Sequence, residues 1–140
     1  MQIKFVRKVK AEELIKEFEK KYGSLEKLRR YLERHPDDYV ALIDYEDWMH
    51  FLENPDIEVE EGEIFVTDVS FLTPQKLQLL EAIKKYNPKS IRELAKKVGR
   101  DVKNVYLDIK ELEKAGVVEL KTSGKAKKVE LKFNEIHLII

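Results

Sequence analysis

Residue types able to read a nucleic acid are gathered in "GRDVKNVYLDIKELEKAG", residues 99–116. Arg100 and Lys103 suit guanine O6 and N7, and Asn104 suits adenine N6 and N7. Either cation could equally hold a phosphate, which orients a protein without specifying a base. At roughly 100° per residue, Val102, Val105, Ile109 and Leu112 make one apolar stripe, and Leu107 points directly away from it. Arg100, Lys103, Asn104, Lys110 and Lys114 surround Leu107. Tyr106 lies at the edge of that face, placed to pack or to touch a backbone. A large apolar residue among cations leaves three readings open: contact with a thymine methyl, contact with a partner protein, or plain exposure.

Other chemistry is thin. His35, His50 and His137 are scattered, and Glu46, Asp47 and His50 would meet only as near neighbours on one helix. A metal site needs more ligands at a recognisable spacing, so no metal and no other cofactor is expected. With no cysteine there is no thiolate ligand, Cys nucleophile or disulfide. No phosphate loop, GxSxG or HExxH occurs. Nothing selects a catalytic pair from the many carboxylates. The expectation is a protein that is not an enzyme.

The elements that must position the 99–116 face carry clear signals. Thr73-Pro74 caps and starts a helix with Leu77, Leu80, Ile83 and Tyr86 as its expected inner stripe. Asn87-Pro88 ends it. Ser90 caps a short helix, with Glu93 completing a capping box. Ile91, Leu94, Ala95 and Val98 point inward, and Gly99 permits the left-handed turn that stops it. Asp101 caps the third helix, 101–115, and Gly116 stops it. "VVELKT" (117–122) and "KVELKF" (128–133) alternate as two strands around a basic loop, 123–128. Three helices followed by a basic-tipped hairpin is the layout of a winged helix-turn-helix, whose third helix enters a major groove.

The stretch "LTPQKLQLLEAI…SIRELAKKVGRDVKNVYLDIKELEKAGVVEL" resembles winged-helix transcriptional regulators of the MarR/ArsR-like type. It is most similar to a prokaryotic group of predicted regulators, some antitoxin-like. The resemblance covers residues 72–133 and implies binding of double-stranded DNA. On this docking pattern, helix 101–115 reads the major groove through Arg100, Lys103, Asn104 and Leu107, flanked by Tyr106 and Lys110. Arg92, Lys96 and Lys97 on the second helix are candidates for phosphates. Lys125, Lys127 and Lys128 are candidates for wing contacts to the backbone or minor groove. Related regulators often carry a polar or basic residue where this chain has Leu107.

The expected fold class is α+β, a C-terminal winged helix-turn-helix with a mostly helical N-terminal extension carrying one or two short strands. Three regions follow: 1–71, a dimerisation or partner-binding extension; 72–133, the DNA-binding domain; and 134–140, an apolar tail. In the extension, residues 2–9 read as a strand, 11–22 and 25–34 as helices, and 36–53 as a third helix. Leu42, Tyr45, Met49 and Leu52 form that third helix's stripe, a strand over 39–43 being the alternative. Residues 54–63 read as a turn or linker and 63–69 as a strand.

Formal net charge is zero, yet it is sharply blocked. Residues 1–34 hold 11 basic and 6 acidic groups, residues 35–72 hold 12 acids and no Lys or Arg, and residues 73–128 hold 15 basic and 7 acidic groups. The last block suits a polyanion. The acidic block 35–72 should avoid DNA and meet residues 1–34, of this or a second chain, or a basic partner protein. The last of these supports the alternative function, an antitoxin-like or other protein-interaction module. Regulators of this kind commonly form homodimers matching palindromic sites. The tail "NEIHLII" is one candidate contact, with packing in its own core as the competing reading. No apolar run approaches the roughly 18–20 residues that cross a bilayer, and no secretory signal is evident, so a cytoplasmic location without a membrane partner is expected. Abundant Lys (21) and Glu (19) beside few Asn (4) and Gln (3) resemble hyperthermophile composition.

Overall fold

A computed structural model describes residues 1–140, apart from the side chain of Ser123. Among the described residues the chain is α+β, with six α-helices and five strands in two small sheets. The strands are β1 (Gln2–Lys10), β2 (Glu58–Val66), β3 (Val118–Ser123), β4 (Ala126–Leu131) and β5 (Glu135–Ile139). The helices are α1 (Ala11–Tyr22), α2 (Leu25–Arg34), α3 (Tyr39–Glu53), α4 (Pro74–Tyr86), α5 (Ile91–Val98) and α6 (Val102–Lys114). One sheet has the order β2-β1-β5, and the other is the β3-β4 hairpin. No helix among the described residues is long and apolar enough to cross a membrane.

The chain divides into two units, residues 1–7 with 62–140, and residues 8–61. The sequence reading grouped everything before residue 72. The structure instead places residues 1–7 with the C-terminal unit, because Gln2–Val6 pair antiparallel with Glu135–Ile139. Residues 134–140 are therefore more than a tail: most of them form β5.

In the larger unit the expected caps are made. Thr73 Oγ1 accepts from Lys76 N (3.2 Å), Ser90 Oγ from Glu93 N (3.0 Å) and Asp101 Oδ2 from Asn104 N (3.4 Å). Each satisfies an amide that the helix leaves without a partner. Gly99 adopts φ +68°, the left-handed turn between α5 and α6 that a side chain would strain. Leu79, Leu80, Ile83, Leu94, Val105, Ile109, Leu112, Val117 and Val129 share one core with Ile3 and Phe5 of β1. The α4 stripe differs from the sequence reading. Leu77 and Tyr86 are exposed, and the buried row is Lys76, Leu79, Leu80 and Ile83. Lys76 can be buried, at 5% exposure, because its ammonium is fully engaged. It donates to Phe71 O (3.0 Å), pairs with Glu111 Oε2 (2.5 Å) and lies over the Phe71 ring.

In the smaller unit α1, α2 and α3 enclose two apolar clusters. Leu28, Ala41 and Trp48 form one; Val9, Ala11, Leu14 and Phe51 form the other. The sequence stripe of α3 was displaced by one position. Ala41, Trp48 and Phe51 face inward, while Met49 and Leu52 are exposed. The phase follows the largest surfaces: Trp48 and Phe51 both stack on Phe18, at 5.6 and 6.2 Å. Strand β2 also corrects the expectation, beginning at Glu58, inside the supposed linker, and ending at Val66. Its acids are compatible with a strand because bases of β1 meet them: Lys8 with Glu60 (3.9 Å) and Lys4 with Glu63 (2.9 Å). Lys21 with Asp44 (3.2 Å) is a further pair between the basic and acidic blocks.

Candidate functional site

The N-terminal ends of α5 and α6 and the tip of the β3-β4 hairpin leave a groove of about 750 Å³ between them. Its walls are Ser90, Ile91 and Arg92 from α5, Val102, Lys103 and Tyr106 from α6, and Lys125, Ala126 and Lys127 from the hairpin. Three separate elements thus aim four cations at one concave surface, and no carboxylate belongs to its lining. Low-dielectric walls carrying one sign of charge concentrate the field on an anion. The Ser90-capped start of α5 adds the positive end of a helix. Ile91, Val102, Ala126 and the Tyr106 ring make the floor apolar enough to take sugar or base surface as well as charge.

Why these side chains converge follows from local structure. The buried stripe of α6, Val105, Ile109 and Leu112, is wholly excluded from solvent and fixes that helix's rotation. Lys103, Asn104, Tyr106, Leu107 and Lys110 then project outward. In β4, alternation puts Lys127 on the same side as buried Val129, toward the helices, and Lys128 on the opposite side. There Lys128 lies across from Lys121 in the hairpin, next to the Lys121–Glu130 ion pair (2.9 Å). The hairpin turn is centred on Gly124, at φ +63°. The expected loop over 123–128 is in fact a two-residue turn, Gly124-Lys125, because Ser123 ends β3 and 126–128 already pair within β4; the side chain of Ser123 lies outside the described residues.

Of the residues singled out by sequence, Arg92, Lys103, Tyr106, Lys125 and Lys127 line the groove. Asn104, Leu107 and Lys110 lie on the exposed face of α6 beside it, Leu107 with 49% of its surface open. Lys96 is exposed on α5. Lys97 turns instead to the Tyr86 ring of α4, 4.9 Å away. Arg100 is held by Asp108 of α6, Nη2 to Oδ2 2.8 Å, with its side chain only 21% exposed. Its Nη1 is buried with no partner among the described residues.

The acids of α6 are each tied down. Asp108 holds Arg100, Glu111 holds Lys76, and Glu113 holds Lys110 at 2.7 Å. The Glu113 carboxylate keeps the Lys110 ammonium above its ordinary value, and Lys110 keeps Glu113 below the usual carboxylate range. Both therefore stay charged at neutral pH. Sequence reasoning overlooked Ser90, Ile91 and Val102 as groove wall, although their place at two helix starts was the available signal. It also overlooked the Arg100–Asp108 pair, because Arg100 precedes the helix and eight residues is not a helical neighbour spacing. No group of three or more His, Asp or Glu among the described residues could hold a metal ion.

Residues 71–138 match the HVO_A0114 family. The similarity takes in α4, α5, α6, the hairpin and most of β5, and so contains every groove residue. No curated protein and no solved structure matches the chain.

Proposed function

We propose that the protein is a sequence-preferring, double-stranded DNA-binding regulator whose residues 72–133 form a winged helix-turn-helix of the MarR/ArsR-like kind. In this reading α6 lies in the major groove. Lys103, Asn104 and Leu107 face base edges there, and the hairpin tip with Lys125 and Lys127 meets the backbone or the minor groove. Arg92 and the start of α5 take a phosphate. The supporting observation is the carboxylate-free groove with four cations from three elements. At about 750 Å³ and open to solvent, it suits a run of phosphates better than a single small anion.

Two features of α6 agree with this reading. Its acids are neutralised by cations of the same chain, so they do not repel a phosphate backbone. An exposed residue in the middle of its outward face, Leu107, is apolar, which fits a thymine methyl. Lys96 and Lys110, exposed on α5 and α6, take further backbone phosphates, while Lys97 and Arg100 are turned to partners in the chain and Lys128 lies on the opposite side of the hairpin.

The test is selection of bound duplexes from a random pool, followed by titration of the enriched sequence. An enriched sequence is expected, bound in preference to scrambled DNA. The Lys125→Ala, Lys127→Ala double variant should weaken enriched and scrambled duplexes alike, because phosphate contacts carry no sequence information. Failure to enrich any sequence, with no retention of duplex DNA at low salt, would reject the reading.

A second reading, docking of a basic protein on α3, is favoured by the exposed Tyr39, Val40 and Ile43 beside Glu46 and Asp47. Ile43→Lys would abolish such docking and leave DNA binding intact.

A further inference from the structure

The sheet β2-β1-β5 has two unlike edges. β2 carries Glu58, Glu60, Glu61 and Glu63, a guard of like charge against another strand. β5, "EIHLI", has no lysine and no proline, and its one acid is bonded to its own His137, Oε1 to Nε2 2.8 Å. Pairing with β1 places Ile136 beside Phe5 and Leu138 beside Ile3, on one face. Ile3 and Phe5 are buried there, yet Leu138 is 63% exposed and Ile136 38%. The core of the larger unit thus runs out to this edge and stops uncovered. Under the same edge lies an apolar groove of about 430 Å³, with Phe5, Leu77, Leu80, Phe133, Asn134 and Ile136 in its lining.

We infer that β5 is the interface with a second copy of this chain, joined edge to edge as antiparallel strands about a two-fold axis at His137. Full overlap of a five-residue strand with its own copy fixes that centre. The register then places Ile136 opposite the partner's Leu138, and Leu138 opposite the partner's Ile136. The apolar row Phe5–Ile136 continues without a break into the partner's Leu138 and the partner's Ile3. One step further, the partner's Ile140 falls opposite Asn134, at the mouth of the groove. No carboxylates and no ammonium groups oppose one another in this register, since Glu135 meets the partner's Ile139 and His137 meets the partner's His137. Pairing would satisfy the outward main-chain groups of β5 and merge two three-stranded sheets into one of six. A second copy is the occupant that this strip selects. It is nearly uncharged, so it offers nothing to choose a charged partner, and its alternation complements itself. The inference does not depend on DNA binding.

The absence of cysteine from the chain makes the test direct. Opposed residues in antiparallel strands have Cα atoms roughly 4.5–5.5 Å apart, within disulfide range. The full chain carrying His137→Cys should oxidise to a covalent dimer in high yield. A control with Ile43→Cys on α3 should not. Sedimentation of the unmodified chain across micromolar concentrations should show a dimer. Leu138→Lys should shift it to monomer, raising the dissociation constant about tenfold or more. Circular dichroism keeps an unfolded variant from being counted. A monomeric wild-type chain would overturn the inference. So would a dimer that neither cross-links through position 137 nor responds to Leu138→Lys, since another surface or another partner would then be in use.

Discussion

Lys103, Asn104 and Leu107 project from a helix whose rotation is fixed by Val105, Ile109 and Leu112. Each outward residue has a distinct expected signature. Replacing Lys103 and Asn104 together by Ala should cost about 1–3 kcal/mol for each well-formed base pairing removed and relax the preferred sequence at those positions. Leu107→Ala should lower discrimination at a thymine step while leaving binding to scrambled DNA unchanged. Comparative titration of the selected duplex and its single-base variants measures both. In the smaller unit, Asp38 caps α3 by accepting from Ala41 N (3.1 Å) and takes a bond from the Tyr31 hydroxyl (2.7 Å). The Tyr31 bond first, then the amide, holds its carboxyl below the ordinary aspartate value of 3.8. A folded value below the unfolded one stabilises above the unfolded value and is lost as pH falls through the folded one. Thermal melts of wild type and Asp38→Ala should therefore differ at neutral pH and draw together only as pH falls below about 4, through the lower folded value.

At the scale of elements, the turn between α5 and α6 sets where the outward face points. Gly99 at φ +68° has no atom within 4 Å of an added Cβ, so Gly99→Ala tests backbone strain alone. It should cost about 1 kcal/mol in a chemical denaturation midpoint without abolishing the fold. Glu111→Ala is the second element-level probe, since Glu111 joins α6 to the buried Lys76 of α4. Removing that charge-assisted bond should cost about 1–3 kcal/mol. The six helices were legible because a cap, a Gly or Asn stop or an apolar period marked each, and for α5 and α6 all three agreed. What escaped was decided by tertiary partners. The stripe of α3 turned toward Phe18, Lys76 became a core residue through Glu111 and Phe71, and acid-rich 58–63 became strand beside Lys4 and Lys8. Of the site, the α6 face and the basic hairpin tip were visible in the sequence. The capture of Arg100 by Asp108 and the separation of Lys127 from Lys128 needed three dimensions.

For the whole molecule, zero net charge conceals a division of labour. Much of the acidic block is engaged within the chain, as Lys4–Glu63, Lys8–Glu60 and Lys21–Asp44 illustrate. The groove of the larger unit keeps its cations open to solvent. A polyanion bound there releases counterions in proportion to the phosphates that the protein neutralises, so affinity must fall with salt. With Arg92, Lys125 and Lys127 on phosphates, log K against log salt should slope at about −3 per bound chain, and removing Lys125 and Lys127 should flatten it by about 2. The most direct measurement is this slope, taken on a selected duplex and on a scrambled one, for the unaltered chain and for Lys125→Ala, Lys127→Ala. The account predicts a steep slope on both duplexes, tighter binding to the selected one, and a shallower slope for the variant. A salt-independent affinity, or a slope that the two substitutions leave unchanged, would contradict it.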